Sequence, residues 1–423
     1  MNRFVFMLAV MLFLMTSVVK ANPVDINIAK AIGAKFMKTD NLQFVKSYKL
    51  KNGDAAFYIF NTANGFVIVS ADNCVTPILA YSNEGRFEED KIPIQVQSHL
   101  DDFVEQIQYG VDNNFVADKV TAHQWELVGT TGFVNEQNRD LSVAPLISSK
   151  WSQNEPYNIF CPEMANEYGN HALAGSSAVA MGQVMRYWGY PQTGQGSHGG
   201  IDFGNAAYNW NDMPNEISIH SDSAAIASVA TLLWHCGVSL DMEYDAEFFN
   251  PAIGTIVCAL TTYFKYSPEM ELEFKNDYTD EEWISKLKAN LDLGRPLIVS
   301  GSSNDETNTA HIFICDGYDA NNLLHLNWGW GGNLDGYYRL GVFNIPPDLS
   351  FNTDNCAIFN IHPDDPSQIE EIFDKSEVVS YEVFDVLGRR ADNNYENHVP
   401  GAYFIRYTMK SGNFITKKVA FKR

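Results

Sequence analysis

Two polar stretches without apolar periodicity cut the chain into three lengths, and this division constrains folding more than any other feature. The first is Asn135-Glu136-Gln137-Asn138-Arg139-Asp140, which leads into Val143-Ala144-Pro145-Leu146. The second is the proline-flanked break Pro363-Asp364-Asp365-Pro366. A connector such as the first is expected to be exposed and open to proteolytic cutting. The length of 423 residues fits the same division, since domains average roughly 150 residues. With 45% hydrophobic and 19% charged residues, each length has material for a core, which excludes a disordered, collagen-like or low-complexity chain.

The amino end has its own character. Met1-Asn2-Arg3 is followed by the apolar run Phe4 to Met15 and by Val19-Lys20-Ala21 before Asn22-Pro23. A basic start, a short apolar core and a small-x-small exit predict a signal peptide over residues 1–21 and a secreted or cell-surface protein. The run is shorter than the ~18 to 20 residues of a spanning helix. Export permits disulfides, yet the six cysteines are sparse and show no C-x-x-C spacing, so neither a disulfide scaffold nor a zinc site is expected. No H-E-x-x-H spacing and no glycine-rich phosphate loop after a strand occurs, so no metal or organic cofactor is implied. Acidic residues number 52 against 29 basic ones, a net charge of −23. Such a field repels phosphate backbones and excludes nucleic acid as a partner.

Residues 22–145 carry two β-rich runs, Ala55 to Phe60 and Gly65 to Ser70, around a Thr-Ala-Asn turn, which predict a hairpin. Apolar Val96, Leu100, Phe103, Val104 and Ile107 then predict a helix from Ile94 to Gly110, opening just past Pro93. Together they make a small α+β unit. Residues 146–362 are rich in Gly, Trp and Tyr, with a helix predicted from Ser176 to Trp188 that stops before Pro191, and strands at Leu297-Ile298-Val299 and His311 to Cys315. Residues 367–423 read as short strands with turns at Gly388, Gly401 and Ser411-Gly412, a small all-β appendage.

Chemistry is concentrated in the middle length. Ser176 or Ser177 opens a helix just after Gly175, where free backbone N–H groups favour negative charge, a suitable place for a nucleophile or an oxyanion. A base has to come from elsewhere, and His311 lies in an apolar strand that ends in a turn. Each residue has a plainer reading, the serine as a helix cap and the histidine as a structural group.

Several blocks in order decide between these readings. Trp151-Ser152-Gln153-Asn154-Glu155-Pro156-Tyr157-Asn158 with Cys161-Pro162, the Ala174-Gly175-Ser176 helix with Gln183-Val184-Met185-Arg186-Tyr187-Trp188-Gly189-Tyr190-Pro191, and Asn327-Trp328-Gly329-Trp330-Gly331-Gly332 resemble the streptopain family of secreted papain-like cysteine peptidases made as zymogens. Gly65 to Asp72 and Pro77 to Ser82 resemble that family's inhibitory pro-domain. The resemblance implies an α+β fold, a papain-like peptidase domain preceded by an α+β inhibitory pro-domain, and the small all-β appendage follows them. It implies peptide or protein substrates, with the chain's own pro-domain as inhibitor. It places Ser176 at the nucleophile position, because Gln183 lies seven residues beyond it, as it does beyond the family's cysteine. His311 corresponds to the general base, Gln153 to the oxyanion-hole amide, and Asn327 and Trp328 to the groups that orient and shelter the imidazole. Gly237 to Tyr244 resembles a segment lining a substrate pocket, which points to Met242 and Tyr244, with core packing as the alternative.

The chain departs from the family at the nucleophile, where Ser176 replaces cysteine, and also at Ala174 and Ala310, where a threonine and a glycine are usual. A helix terminus and an imidazolium can bring a thiol of pKa about 8.5 to thiolate. A serine hydroxyl has to lose its proton to His311 in the transition state. Weak proteolysis through Ser176, a pseudopeptidase that binds peptides without cutting, and an adhesion or structural protein on this fold all remain open. At the carboxyl end, Val383 to Arg390, Gly401 to Arg406 and Thr416 to Val419 resemble the sorting domain of type IX secretion, implying that machinery as a partner.

Overall fold

The computed structural model describes residues 22–130, 142–166, 169–244, 252–302, 310–341, 355–365, 378–385, 390–391, 401–410 and 414–421. The leader and the Asn135–Asp140 connector lie outside them. In the first length, α1 (Ile26–Phe36) precedes β1 (Gln43–Lys49), β2 (Ala55–Asn61), β3 (Phe66–Ser70) and β4 (Ile78–Ser82), and then α2 (Ile94–Asp112) and α3 (Lys119–Thr130). The hairpin is β2 paired antiparallel with β3. Sequence periodicity missed α1 and β1, which carry fewer apolar residues on a regular spacing than β2 and β3.

The middle length holds a short ribbon of β5 (Glu163–Asn166) and β6 (Gly169–His171), then α4 (Ser176–Trp188), a second ribbon of β7 (Ser197–His198) and β8 (Ile201–Asp202), α5 (Ser223–Ser239) and α6 (Gly254–Tyr263). After them come β9 (Glu271–Phe274), α7 (Asp280–Asp292), β10 (Leu297–Ser302), β11 (Ala310–Tyr318), β12 (Leu324–Asn327), β13 (Gly336–Tyr338) and β14 (Cys356–Phe359). Local chemistry explains the helix limits. A Thr279/Glu282 capping box opens α7, satisfying two backbone donors that a helix start leaves free. Gly189 closes α4 in the left-handed conformation at φ 57, which glycine adopts without a steric penalty.

One antiparallel sheet runs through both lengths in the order β1-β2-β3-β4-β13-β12-β11-β10-β14-β9. The seam is β4 against β13, where Tyr81 faces Tyr337 and Ala80 faces Tyr338. The amino-terminal unit is therefore built into the sheet of the middle length, a continuity that sequence patterns do not disclose.

Strand alternation sorts this sheet into two cores. Ile298, Ile312, Ile314 and Ile358 pack with Val179, Val184 and Leu233 in the core of α4 and α5. Their neighbours Leu297, Val299, Cys315, Ala357 and Phe359 pack on the other face with Leu100, Phe103 and Ile107 of α2 and with Trp283 and Leu287 of α7. A third cluster holds α1 through Ala29 and Ile32 against Val67 and Val69.

The carboxyl-terminal length is all-β: β15 (Val378–Asp385), β16 (Arg390–Ala391), β17 (Gly401–Met409) and β18 (Phe414–Phe421), in the order β16-β15-β17-β18. Gly401 begins β17 rather than marking a turn, because it pairs with Phe421 in the ladder. Gly388 and Ser411-Gly412 lie outside the described residues. Among the described residues no helix is long and apolar enough to cross a membrane.

Candidate active site

The amino end of α4 is the centre of the candidate site. Gly175 precedes it with φ 88, and a Cβ there would lie 2.1 Å from the Met242 Cε. The backbone angle is what requires glycine here, and the end of the Met242 side chain packs over it. Every residue from Ser176 to Arg186 is buried, as in a helix apolar on all sides that runs through a core. Ser176 is the first helical residue, and its Oγ accepts the Ile312 N–H at 3.4 Å. The start of the helix carries no side-chain cap, so its backbone dipole faces the Ser176 end.

Gln153 is brought to this point. Its carbonyl accepts the Ala174 N–H at 2.8 Å. Its side chain is buried, and its Nε2 has no hydrogen-bond partner among the described residues. A buried amide donor of this kind costs about 1 to 3 kcal/mol, which suits a group held ready for a ligand oxygen.

Met242 and Tyr244 also converge here. A Cβ on Gly237 would meet the Tyr244 hydroxyl and the Met242 sulfur, and the Tyr244 hydroxyl lies beside the Cys161 thiol. Burial pushes the Cys161 thiol up to about 12, and it also raises Cys74, Cys236 and Cys315. None of these four thiols is prepared as a thiolate.

Gln183 has a role that sequence reading missed. Its Oε1 accepts the Ser149 hydroxyl at 3.0 Å and the Trp151 N–H at 3.1 Å, and its Nε2 donates to the Asn327 Oδ1 at 3.1 Å. Asn327 in turn donates to the Ser149 carbonyl at 3.0 Å. This buried clamp ties α4, β12 and the Ser149–Trp151 segment, just ahead of Gln153, together. The available signal was a glutamine on an otherwise apolar helix, two turns past the serine.

His311 lies elsewhere. On β11 it pairs with Gly301 and shares a face with Phe313 and Cys315, whereas Ile312 and Ile314 point towards α4. Its side chain lines a cavity of about 40 Å³ with Gln95, Ser98, His99 and Asp102 of α2 and with Trp328. The structure thus brings Ser176, Gln153, Met242 and Tyr244 to one side of β11 and sets His311 and Trp328 on the other. Trp328 is fully buried, with its ring 4.8 Å from Phe313 and 5.9 Å from His99, and its Nε1 donates to the Leu334 carbonyl.

The α2 side of the cavity is electrostatically unusual. Burial holds the His99 imidazole down at about 4, and its Nε2 meets the Arg339 carbonyl at 2.9 Å. Burial, then the charges of Glu105 and Asp101, push the Asp102 carboxyl up to about 8. At neutral pH an uncharged histidine and a protonated acid thus face the sheet.

A sheet shared by two sequence units, with a buried helix that opens on Ser176, frames a domain carrying its own amino-terminal cover. The chain matches the peptidase C10 family over residues 151–338 and the Spi protease inhibitor family over residues 21–107. It belongs to the peptidase C10 family, the streptopain-like cysteine peptidases, with a Spi inhibitor-like pro-domain in front. Streptopain of Streptococcus pyogenes is 27% identical over 340 residues, covering 72% of this chain and 80% of streptopain. The thiol protease/hemagglutinin PrtT of Porphyromonas gingivalis is 26% identical over 341 residues, 73% of this chain, and the chain spans only 37% of that protein's length. The solved fragment of Prevotella intermedia prointerpain A superposes with a TM-score of 0.61 at 28% identity, covering 75% of this chain and 97% of the fragment.

Proposed function

We propose that the chain is an exported peptidase zymogen, with a leader at 1–21, a pro-domain at 22–145, a papain-like peptidase domain at 146–362 and a β sorting module at 367–423. The single observation that carries this reading is the buried Ser176 at the start of α4, two residues past the Ala174 N–H that Gln153 accepts, while α2 of the pro-domain covers the face where His311 lies. Released from α2, His311 takes the Ser176 proton as the oxygen bonds to the substrate carbonyl carbon. It then returns that proton to the leaving amine as the C–N bond breaks. Gln153 donates to the developing oxyanion. Asn327 and Trp328 hold and shelter the imidazole, and Met242 and Tyr244 border an apolar side-chain pocket.

Ser176 makes proteolysis slow, because an alkoxide-like oxygen cannot be prepared in advance as a thiolate can. The second reading is a pseudopeptidase that binds peptides at the cell surface. It is favoured by the four raised thiols, none of which substitutes for a missing cysteine nucleophile. The β15–β18 sheet serves, in this proposal, as the passenger signal for type IX secretion.

Intact mass of the purified zymogen, followed beside its Ser176→Cys variant, tests both readings. Self-cleavage between residues 135 and 149 is expected to be rapid in the variant and slow in the natural chain. Cleavage in the variant alone makes the natural protein a pseudopeptidase. If neither chain cuts, and neither mature domain hydrolyses an unstructured protein substrate, the peptidase reading is lost.

A further inference from the structure

A carboxylate is costly to bury without partners, yet the Asp316 side chain, near the end of β11, is 0% exposed. Both of its oxygens are used. Oδ1 meets His325 Nδ1 on β12 at 2.6 Å, and Oδ2 accepts the Ile147 N–H at 2.8 Å. Two residues further along each of those segments lie Ser149 and Asn327, which Gln183 joins. Residues 147–149 and 325–327 are thus tied at both ends, by Asp316 at one and by the glutamine clamp at the other. Beyond Asn327, the Asp335 carboxylate accepts the Trp328 N–H at 2.9 Å and adds its charge beside the His325 ring.

We propose that His325 is a positioning residue of the site: as an imidazolium between Asp316 and Asp335, it holds the segment leading to Gln153 and the Asn327-Trp328 turn in register with each other. The proposal rests on the peptidase reading of Gln153, Asn327 and Trp328. Removing the positive charge leaves two carboxylates facing a neutral ring, and both the Ile147 and the Trp328 N–H groups depend on those carboxylates for their partners.

The charges around His325 support this state. Burial lowers the imidazole, but the charge and hydrogen bond of Asp316, then the charges of Asp335 and Glu84, outweigh it and hold the ring above its ordinary 6.5. Burial pushes the Asp335 carboxyl up to about 7, against the Trp328 N–H and the His325 charge, so these neighbours titrate as a coupled set. The remaining groups that face the ring are Tyr337 on β13, with ring centroids 5.1 Å apart, and Lys150, which pairs with Glu84 and has Glu216 beyond it. His325 and Asp335 border an open cavity of about 1290 Å³, through which solvent protons reach them.

The test is an NMR pH titration of the full-length chain, with the His325 ring assigned through bonds from its own backbone. The ring is expected to titrate above 6.5. The Ile147 and Trp328 N–H signals and the Gln153 and Asn327 side-chain amides are expected to move with the same midpoint. In Asp316→Asn the ring midpoint is expected to fall, because burial then acts without its main opponent. A ring that titrates at or below 6.5, or Gln153 and Asn327 amides that ignore its midpoint, overturns the proposal. If Asp316→Asn does not fold, the natural chain decides alone. In a Ser176→Cys background, self-cleavage followed by intact mass is expected to slow as pH rises through the ring's midpoint. Adding His325→Gln is expected to slow it about 10- to 100-fold below that midpoint and to remove the slope. A loss of rate with the slope retained would make His325 a structural group only and overturn the proposal. No cleavage at any pH in the Ser176→Cys chain would count against the peptidase reading and leave the amide signals to judge the positioning.

Discussion

The two faces of β11 are made from different parts of the chain. The α4 face is filled by Ile312, Ile314, Val179 and Leu233, all from the peptidase length. The opposite face is filled by His311, Phe313 and Cys315 against α2 from the pro-domain and α7 from the peptidase. Removing the pro-domain therefore leaves the Ser176 side intact and uncovers the His311 side. The inhibitor-like pro-domain thus shares a core with the peptidase domain rather than resting on its surface. The seam reinforces the point, since β4 and β13 join the two units by backbone hydrogen bonds.

The comparison is broken most strongly by disturbing one face at a time. Gln183→Leu strips partners from the Trp151 N–H and the Ser149 hydroxyl, at a cost of about 3 to 5 kcal/mol in total. Thermal melting is expected to show the loss in both the zymogen and the mature domain. Phe103→Ala, on a fully buried α2 side chain, costs about 3 to 5 kcal/mol. This loss is expected in thermal melting of the zymogen, together with faster clipping of the pro-domain by added protease. A zymogen variant that melts and is clipped like the natural chain would show that the α2 face does not hold the pro-domain in place.

A smaller effect concerns pH. His99 has an ordinary value of 6.5 and is held at about 4 in the fold. As pH falls below 6.5 the unfolded chain takes up a proton that the folded chain refuses. Zymogen stability is therefore lost between about 6.5 and 4, and the loss levels off below the folded value. Melting temperatures across that window are expected to decline in the natural zymogen and to be flatter in His99→Gln. Equal slopes would move the acid sensitivity to another group.

The smallest effect belongs to Glu84 and Lys150, an ion pair between pro-domain and peptidase with side chains 75% and 41% exposed. Glu84→Gln is expected to cost at most about 1 kcal/mol, with the difference vanishing at high salt.

Much of the site is legible in the amino-acid sequence. α4 has the limits expected from Gly175, its apolar run and Pro191, and the β2–β3 hairpin matches its two β-rich runs. Local pattern suffices there, because helix and hairpin signals are written within a few residues. Gln183 is visible in the sequence as a register mark but not as the clamp, since its partners Ser149 and Asn327 come from distant positions.

Sequence by itself determined which groups this protein possesses: a serine at the head of a buried helix, a histidine in an apolar strand, and an inhibitor-like unit ahead of both. It also determined that His311 and Ile312 face opposite ways, because side chains alternate along a strand. Only the tertiary structure decided which of those faces meets α4 and which meets α2. That choice depends on the pairing of β10, β11 and β12 and on a pro-domain that extends the same sheet, contacts too remote along the chain for any local pattern to specify.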